Sequence, residues 1–379
     1  MKKIAHIQLL PLLSGAQRVT LDELQRLSDY EYEKYLICND EGPLTLEARK
    51  SGIHVIIVKS LKRNISPYFD IVSLIKLIKI IKKEKFDIVH THSSKTGVLG
   101  RLAAFYSRAP LIIHTVHGFS FPSAKNKLQL FIYYIMEKLG TACGDALICL
   151  HDEDKRIAVN KLNLSPDKIY MLPNGVDINK FKPLSSIQKE EIRESIGLKN
   201  SDTIIGMTGR LWEQKNPLFL FDNLVDILLS NKNIKLVFMG DGELSNSLKE
   251  RINTHKLSSQ VFLLGWCNNT EEILNALDIF VLPSKWEGMP LAILEAQSTG
   301  LPCVVSNING NKILVTNFKD GFLFDLDDIE SFRDSITRLL YDRDLRENLG
   351  DYARNKIVSS YSINERIKKI DLIYKNLLL

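Results

Sequence analysis

Ile279-Phe-Val-Leu-Pro-Ser-Lys-Trp-Glu-Gly-Met-Pro-Leu-Ala-Ile-Leu-Glu-Ala-Gln297 contains a strand, a turn and the start of a helix in one run. Ile279–Leu282 has the length and side chains of a buried strand. Pro283 and Ser284 stop it, and a loop with Glu287, Gly288 and Pro290 follows. A helical stretch from Leu291 then carries Glu295. Gly288 lets main-chain N–H groups come close to a ligand. The helix start offers N–H donors that the helix itself cannot use, a seat for oxygens and phosphates. Glu287 and Glu295 can each accept hydrogen bonds from ligand hydroxyls. Two isolated glutamates at such places are more often a loop acid and a helix-surface acid, so the surroundings decide.

The same rhythm runs outward in both directions. Ile204–Thr208, Lys235–Met239, Val261–Leu264 and Pro302–Val305 read as further buried strands. So do Ile4–Leu10, Tyr35–Cys38, Val55–Val58, Ile88–Thr91, Leu111–Val116 and Ala146–Cys149 in the front half. Helical patterns such as Asp70–Glu84, Asn216–Ser230 and Asp328–Tyr341 lie between them. Strand–helix alternation of this kind implies parallel sheets covered on both faces. The expected fold is α/β: two doubly wound, Rossmann-like domains facing a cleft, with ligands at the C-terminal strand ends. The turn-like Pro173-Asn-Gly-Val-Asp177 and the segment from Phe181 place the boundary near Lys182–Pro183. The expected parts are residues 1–183, 184–360 and a terminal helix over 361–379. Ile367, Ile370, Ile373, Tyr374 and Leu377 give that helix an apolar stripe that needs a surface, which the first domain can supply.

Composition narrows the class. Of 379 residues, 45% are hydrophobic and 25% charged, an ordinary globular balance. The net charge of +5 is too mild for a nucleic-acid protein, but it is unevenly spread. Residues 1–183 hold 27 Lys and Arg against 18 Asp and Glu; residues 184–379 hold 23 against 27. A basic front half suits an acidic partner, such as a phosphate-bearing substrate or a membrane surface. The cysteines (Cys38, Cys143, Cys149, Cys267 and Cys303) form no CxxC pair, so a reducing cytoplasm is expected. His6, Gln8 and Pro11 interrupt the N-terminal apolar run, which argues against a signal peptide. No apolar run reaches a membrane span.

Other strand ends carry chemistry too. Gly209 and Arg210 follow Ile204–Thr208, and Lys215 opens the next helix. Two cations at a strand end can neutralise a diphosphate; the plain alternative is a sheet cap and a solvated lysine. Gly15 and Ala16 form a small-residue turn after the first strand. His117 ends Leu111–Val116, where ligands bind in such folds. Ser93, Ser94 and Lys95 start a helix after His90-Thr-His92 and can seat an acceptor phosphate, or simply cap the helix. The His-x-His pair has no acid or cysteine at matching spacing, so no metal is expected there. Asp325-Leu-Asp327 and Asp152-Glu-Asp154 are read as acids at helix starts rather than metal ligands. On the helix Ile71–Lys85, Leu74, Leu77, Ile78 and Ile81 share one face, and Lys76, Lys79 and Lys83 the other. With Lys125 and Lys127, these lysines suggest contact with anionic lipid.

Glu287 and Glu295, with seven residues between them, resemble the E-x7-E signature of retaining glycosyltransferases of the GT-B fold, in particular glycosyltransferase family 4. Four more segments match in order: Ser14-Gly-Ala-Gln-Arg18, Val116-His-Gly118, Pro173-Asn-Gly-Val-Asp177 and Gly209-Arg-Leu-Trp-Glu-Gln-Lys215. The resemblance implies that Arg210 and Lys215 stabilise the departing nucleotide diphosphate. It places Glu287 and His117 by the donor sugar and Glu295 on the ribose. Gly15, Ala16, Gly209 and the backbone of Gly288, Met289, Pro290 and Leu291 line the donor. Met239-Gly-Asp-Gly-Glu243 and Leu264-Gly-Trp266 resemble nucleotide-side loops. The implied co-substrate is a nucleotide sugar, a UDP-sugar, with no metal or other cofactor. Base contacts are main-chain ones, so base identity is poorly encoded. The strings His-Thr-His-Ser-Ser-Lys and Thr-Val-His-Gly-Phe resemble those of enzymes that build bacterial surface polysaccharide, such as O-antigen or capsule, on lipid-linked carriers. A cytoplasmic enzyme, peripheral on the inner face of the plasma membrane, is implied. A sugar-nucleotide epimerase of the same architecture is the alternative reading, and a periplasmic-type sugar-binding protein a more distant one.

Overall fold

The computed structural model describes residues 1–119, 121 and 126–379. The chain separates into two compact units, Met1–Asn174 with Ile363–Leu379, and Gly175–Ser362. The expected boundary at 183/184 thus lies inside the second unit. The reason is local. Arg354 donates to Ile178 O and Phe181 O, both at 2.9 Å, and ties that stretch to the second unit.

The first unit is built on seven parallel strands. They are β1 (Lys2–Ile7), β2 (Tyr32–Cys38), β3 (His54–Ile57), β4 (Ile88–His92), β5 (Leu111–Val116), β6 (Ala146–Cys149) and β7 (Ile169–Met171). Their order is β3-β2-β1-β4-β5-β6-β7, so the winding reverses between β1 and β4. The second unit has six: β8 (Thr203–Thr208), β9 (Ile234–Met239), β10 (Val261–Gly265), β11 (Ile279–Leu282), β12 (Cys303–Ser306) and β13 (Gly321–Phe324). Their order is β10-β9-β8-β11-β12-β13, with the reversal between β8 and β11. Each sheet is doubly wound, and each reversal opens a crevice at the strands' C-terminal ends. The α/β expectation is met in both units.

Burial explains the strands. Ile4, Ala5 and Ile7 of β1 have no exposed surface, as expected of a strand covered on both faces. β1 starts two residues earlier and stops three residues earlier than its apolar run suggested. Lys2 and Lys3 pair in register with Tyr32 and Glu33. Gln8 turns its amide to Thr20 Oγ1 at 2.6 Å and Ala16 O at 3.2 Å instead of extending the strand. β7 and β13 were not foreseen: the first has three residues and the second opens on Gly321.

The helix Ile363–Leu377 belongs to the first unit, as its stripe suggested. Ile367, Ile370 and Tyr374 pack with Ile4, Ile88, Leu111 and Ile113. Arg366 clamps it, donating to Leu172 O at 2.7 Å, Pro173 O at 2.6 Å and Glu23 Oε1 at 2.6 Å. The helix Pro67–Glu84 buries Leu77 and Ile81 and exposes Lys76, Lys79 and Lys83, as their spacing predicted. The helix Lys127–Ala142 was not read from sequence as a lipid-facing element. It leaves Leu128, Phe131, Ile132, Ile135 and Leu139 exposed. At 100° per residue those five share one face. Lys125 lies outside the described residues. Among these residues, no helix is long and apolar enough to cross a membrane.

Candidate functional site

The crevice of the second unit is assembled from the turns after β8, β9, β10 and β11. Gly209 (φ +138°) ends β8, and Gly240 (φ +138°) follows β9. A Cβ on Gly240 would stand 2.1 Å from Gly209 O. Only glycine at these two places lets the turns press backbone to backbone. Leu211 N donates to Asp241 O at 3.0 Å, and Gly240 N to Gly265 O at 2.7 Å, joining three turns.

Lys215 and Glu287 meet here. Lys215 Nζ lies 2.6 Å from Glu287 Oε1, with side chains 15% and 8% exposed. Glu287 also accepts from Ser284 Oγ at 2.7 Å. The two loops are stitched twice more, by Lys285 N to Gln214 O at 2.8 Å and Gln214 Nε2 to Trp286 O at 2.7 Å. Gly288 and Glu287 are backed by Gly310, where a Cβ would sit 2.5 Å from Gly288 O. Met289 and Pro290 are buried, and the helix Leu291–Ser298 follows with Glu295 half-buried. Pro290 gives that helix no side-chain cap. Arg210 is turned elsewhere. Its guanidinium stacks 4.9 Å from the Trp212 ring and pairs with Glu243 Oε1 at 3.1 Å. Glu243 is 71% exposed. Such a pair is worth on the order of 0–1 kcal/mol and is readily given up to a phosphate.

The first unit holds the other candidates. Gly15 and Ala16 open the helix Gly15–Arg26, and a Cβ on Gly15 would meet nothing within 4 Å. Ser93 (φ +64°) and Ser94 open the helix Ser94–Ser107, and Ser93 makes no side-chain cap. Lys95, read from sequence as offering charge to an acceptor phosphate, is 8% exposed, lies 2.6 Å from Asp70 Oδ1 and donates to Asn64 O.

His117 is half-buried, and its Nε2 lies 3.1 Å from His92 Nδ1. Burial, with Arg366 adding to it, pushes His117 down to about 3, so it is neutral at pH 7. His6, also pushed to about 3 by burial, lies 2.9 Å from His92. The sequence reading missed this inner group. His6, Glu23, His90 and His92 place ligating atoms within 4.8 Å of one another, so the missing acid was supplied by a distant helix. Most of its atoms are engaged: Glu23 Oε1 holds Arg366, His90 Nδ1 lies 2.6 Å from the Tyr374 hydroxyl, and His6 bonds His92 directly. A signal existed, since five of the eight histidines lie in or directly after three strands, β1, β4 and β5.

The acidic pairs sit at helix starts as expected. The caps are their neighbours, though: His151 before Asp154, and Asp328 for Ser331 N at 3.0 Å. Burial pushes Asp154 up to about 7.

Two doubly wound units, the second with a cation–carboxylate pair at its switch point, fit a transferase of the GT-B type. Residues 13–180 match the family described as Glycosyltransferase Family 4, and residues 188–356 that described as Glycosyl transferases group 1. The chain is 49% identical over 377 residues to the Escherichia coli UDP-Gal:alpha-D-GlcNAc-diphosphoundecaprenol alpha-1,3-galactosyltransferase, covering 98% of this chain and 96% of that one. It is 28% identical to the Staphylococcus aureus capsular polysaccharide biosynthesis glycosyltransferase CapM, over 86% and 85% of the two chains. Its fold matches the crystal structure of Anabaena Alr3699/HepE in complex with UDP and glucose with a TM-score of 0.85, at 17% identity over 99% and 100% of the chains. The chain belongs to glycosyltransferase family 4 and is an enzyme. The epimerase and sugar-binding readings fall away.

Proposed function

We propose that the enzyme moves galactose from UDP-galactose to a hydroxyl of an N-acetylglucosamine carried on a diphospholipid, in building a bacterial surface polysaccharide. The likeness to the Escherichia coli galactosyltransferase supports the donor and the acceptor. The observation that carries the site is Lys215 on Glu287 at 2.6 Å beside the Gly209 turn. A lysine held there meets the diphosphate as it leaves, and Arg210 swings from Glu243 to share the charge. Both stabilise charge that grows in the transition state. The backbone of Gly288–Leu291 and the uncapped helix start receive the diphosphate oxygens. Glu287 accepts from a sugar hydroxyl and Glu295 from the ribose. His117 gives a hydrogen bond to the sugar. The leaving phosphate takes the acceptor proton from the same face, so configuration is retained. The acceptor diphosphate is received by Ser93, Ser94, the N–H groups of their helix, and Lys95, which Asp70 holds in place.

The acceptor's lipid sets where the enzyme works: peripheral on an anionic membrane, at the cytoplasmic face. The exposed Leu128, Phe131, Ile132, Ile135 and Leu139 stripe supports this, as do the exposed lysines of Pro67–Glu84. An apolar helical face with basic neighbours lies in the interface plane.

The test offers UDP-galactose, UDP-glucose and UDP-N-acetylglucosamine with a synthetic N-acetylglucosaminyl-diphospholipid, and reads the product's linkage by NMR. The expected product is an α-galactoside from UDP-galactose. A β-linked product removes retention, and no transfer from any UDP-sugar removes the reading.

A further inference from the structure

Three histidines form a row in the first unit. His6 Nδ1 lies 2.9 Å from His92 Nε2, and His92 Nδ1 lies 3.1 Å from His117 Nε2. At the inner end the Tyr374 hydroxyl lies 3.4 Å from His6 Nε2 and 2.6 Å from His90 Nδ1. His90 Nε2 in turn lies 2.7 Å from Thr115 Oγ1. The row therefore runs from a tyrosine on the C-terminal helix to the one histidine of the row that is not fully buried.

A neutral imidazole has one donor and one acceptor. Such a row can run in only two senses: every Nδ1 carries its proton, or every Nε2 does. Glu23 decides between them. Burial raises the Glu23 carboxyl above its ordinary range; Arg366, which cannot lose its proton, donates to Glu23 Oε1 at 2.6 Å and works against that rise, favouring the carboxylate. The other oxygen, Oε2, is buried and has no hydrogen-bond partner among the described residues. It lies 3.8 Å from His6 Nδ1 and 3.9 Å from His90 Nδ1. A negative oxygen facing those two nitrogens favours N–H over a lone pair on each, and burial strengthens the preference. His90 Nδ1–H then donates to the Tyr374 oxygen. The Tyr374 proton is left for His6 Nε2. His6 Nδ1–H donates to His92 Nε2, and His92 Nδ1–H to His117 Nε2.

We propose that Glu23, Tyr374, His6 and His92 are positioning residues that present His117 as a neutral ring with its Nδ1–H facing outward. His117 is thereby a hydrogen-bond donor and not a base. Its partner is an oxygen of the substrate. The meaning for catalysis rests on the sugar-contacting role proposed above, but the direction of the row does not. Burial supports the neutral state of every member, and the cation Arg366 lowers His117 and His90 further.

The test has a spectroscopic arm and a kinetic arm, both on the full chain. Long-range ¹H–¹⁵N correlation on enzyme with labelled histidines reads each ring's tautomer at pH 7 and pH 5.5. His92→Asn and Tyr374→Phe supply assignments. His6, His92 and His117 are expected neutral, with Nδ1 protonated, at both values. An Nε2–H ring at His92 or His117, or a charged ring at pH 5.5, overturns the proposal. So does stoichiometric metal found on the purified enzyme, since a metal would take the same lone pairs. In the kinetic arm, His92→Ala should lower kcat about tenfold with the donor KM little changed. His92→Asn, whose amide N–H stands near the place of Nδ1–H, should recover much of that loss. Equal losses in the two variants at equal melting temperature overturn the positioning role. If the sugar-contacting role alone is wrong, the tautomers still read as stated while neither variant loses activity.

Discussion

Lys215 is a lysine whose charge is already matched, by Glu287 at 2.6 Å, before any substrate arrives. That makes it a pre-oriented cation and not a mobile one, which is what stabilising a leaving diphosphate requires. Lys215→Ala should lower kcat by about 10²–10³-fold, the range for one lost charge-stabilising donor. Steady-state kinetics check this, and a fall below tenfold would contradict it. The histidines make a second prediction at the same scale. Burial lowers His6 and His117 from about 6.5 to about 3. A histidine lowered in the folded state adds stability that is present above its ordinary range. That stability is lost as pH falls toward 3, because the unfolded chain takes up the proton first. Each such group tilts stability by at most roughly 1.4 kcal/mol per pH unit. Unfolding midpoints in denaturant should therefore drop between pH 7 and pH 5; flat midpoints would contradict neutral burial.

Two helices carry the arguments at the scale of elements. The helix Ile363–Leu377 is held to the first unit by Arg366, which serves Glu23 and two carbonyls at once. Arg366→Ala leaves a buried carboxylate unmatched and should cost about 3–5 kcal/mol, seen as a clear loss in melting temperature. The helix Lys127–Ala142 turns an apolar stripe outward. Phe131→Glu with Ile135→Glu should weaken sedimentation with anionic vesicles severalfold without lowering turnover on a short-chain, water-soluble acceptor. Binding of the unaltered enzyme should fall as salt rises but keep an apolar remainder. What the sequence made legible at this scale follows from period. Continuous apolar runs marked eleven of the strands, and the spacing of Ile367, Ile370 and Tyr374 marked the returning helix. β7 and β13 escaped because three or four residues with a glycine or tyrosine among them give no periodic signal. The row of histidines escaped because residues 6, 92 and 117 meet only through strand order, which no local spacing encodes. Lys95 looked free for the same reason: Asp70 comes from another helix.

For the whole molecule, the division of labour follows charge. The front 183 residues hold nine more cations than acids, and the remainder four fewer. On the proposed reading the basic part meets a lipid diphosphate, and Arg210 and Lys215 hold the nucleotide with the charge a metal would otherwise supply. Transfer should then continue in EDTA; an absolute need for Mn²⁺ or Mg²⁺ would contradict this. The central claim is that Arg210, Lys215 and the glutamate loop grip the donor by its diphosphate. Calorimetric titration of UDP and UMP into the enzyme and into Arg210→Ala/Lys215→Ala tests it directly. The account predicts that UDP binds the intact protein at least about tenfold tighter than UMP, and that the double variant loses that preference. A double variant that still favours UDP by the same factor would contradict it.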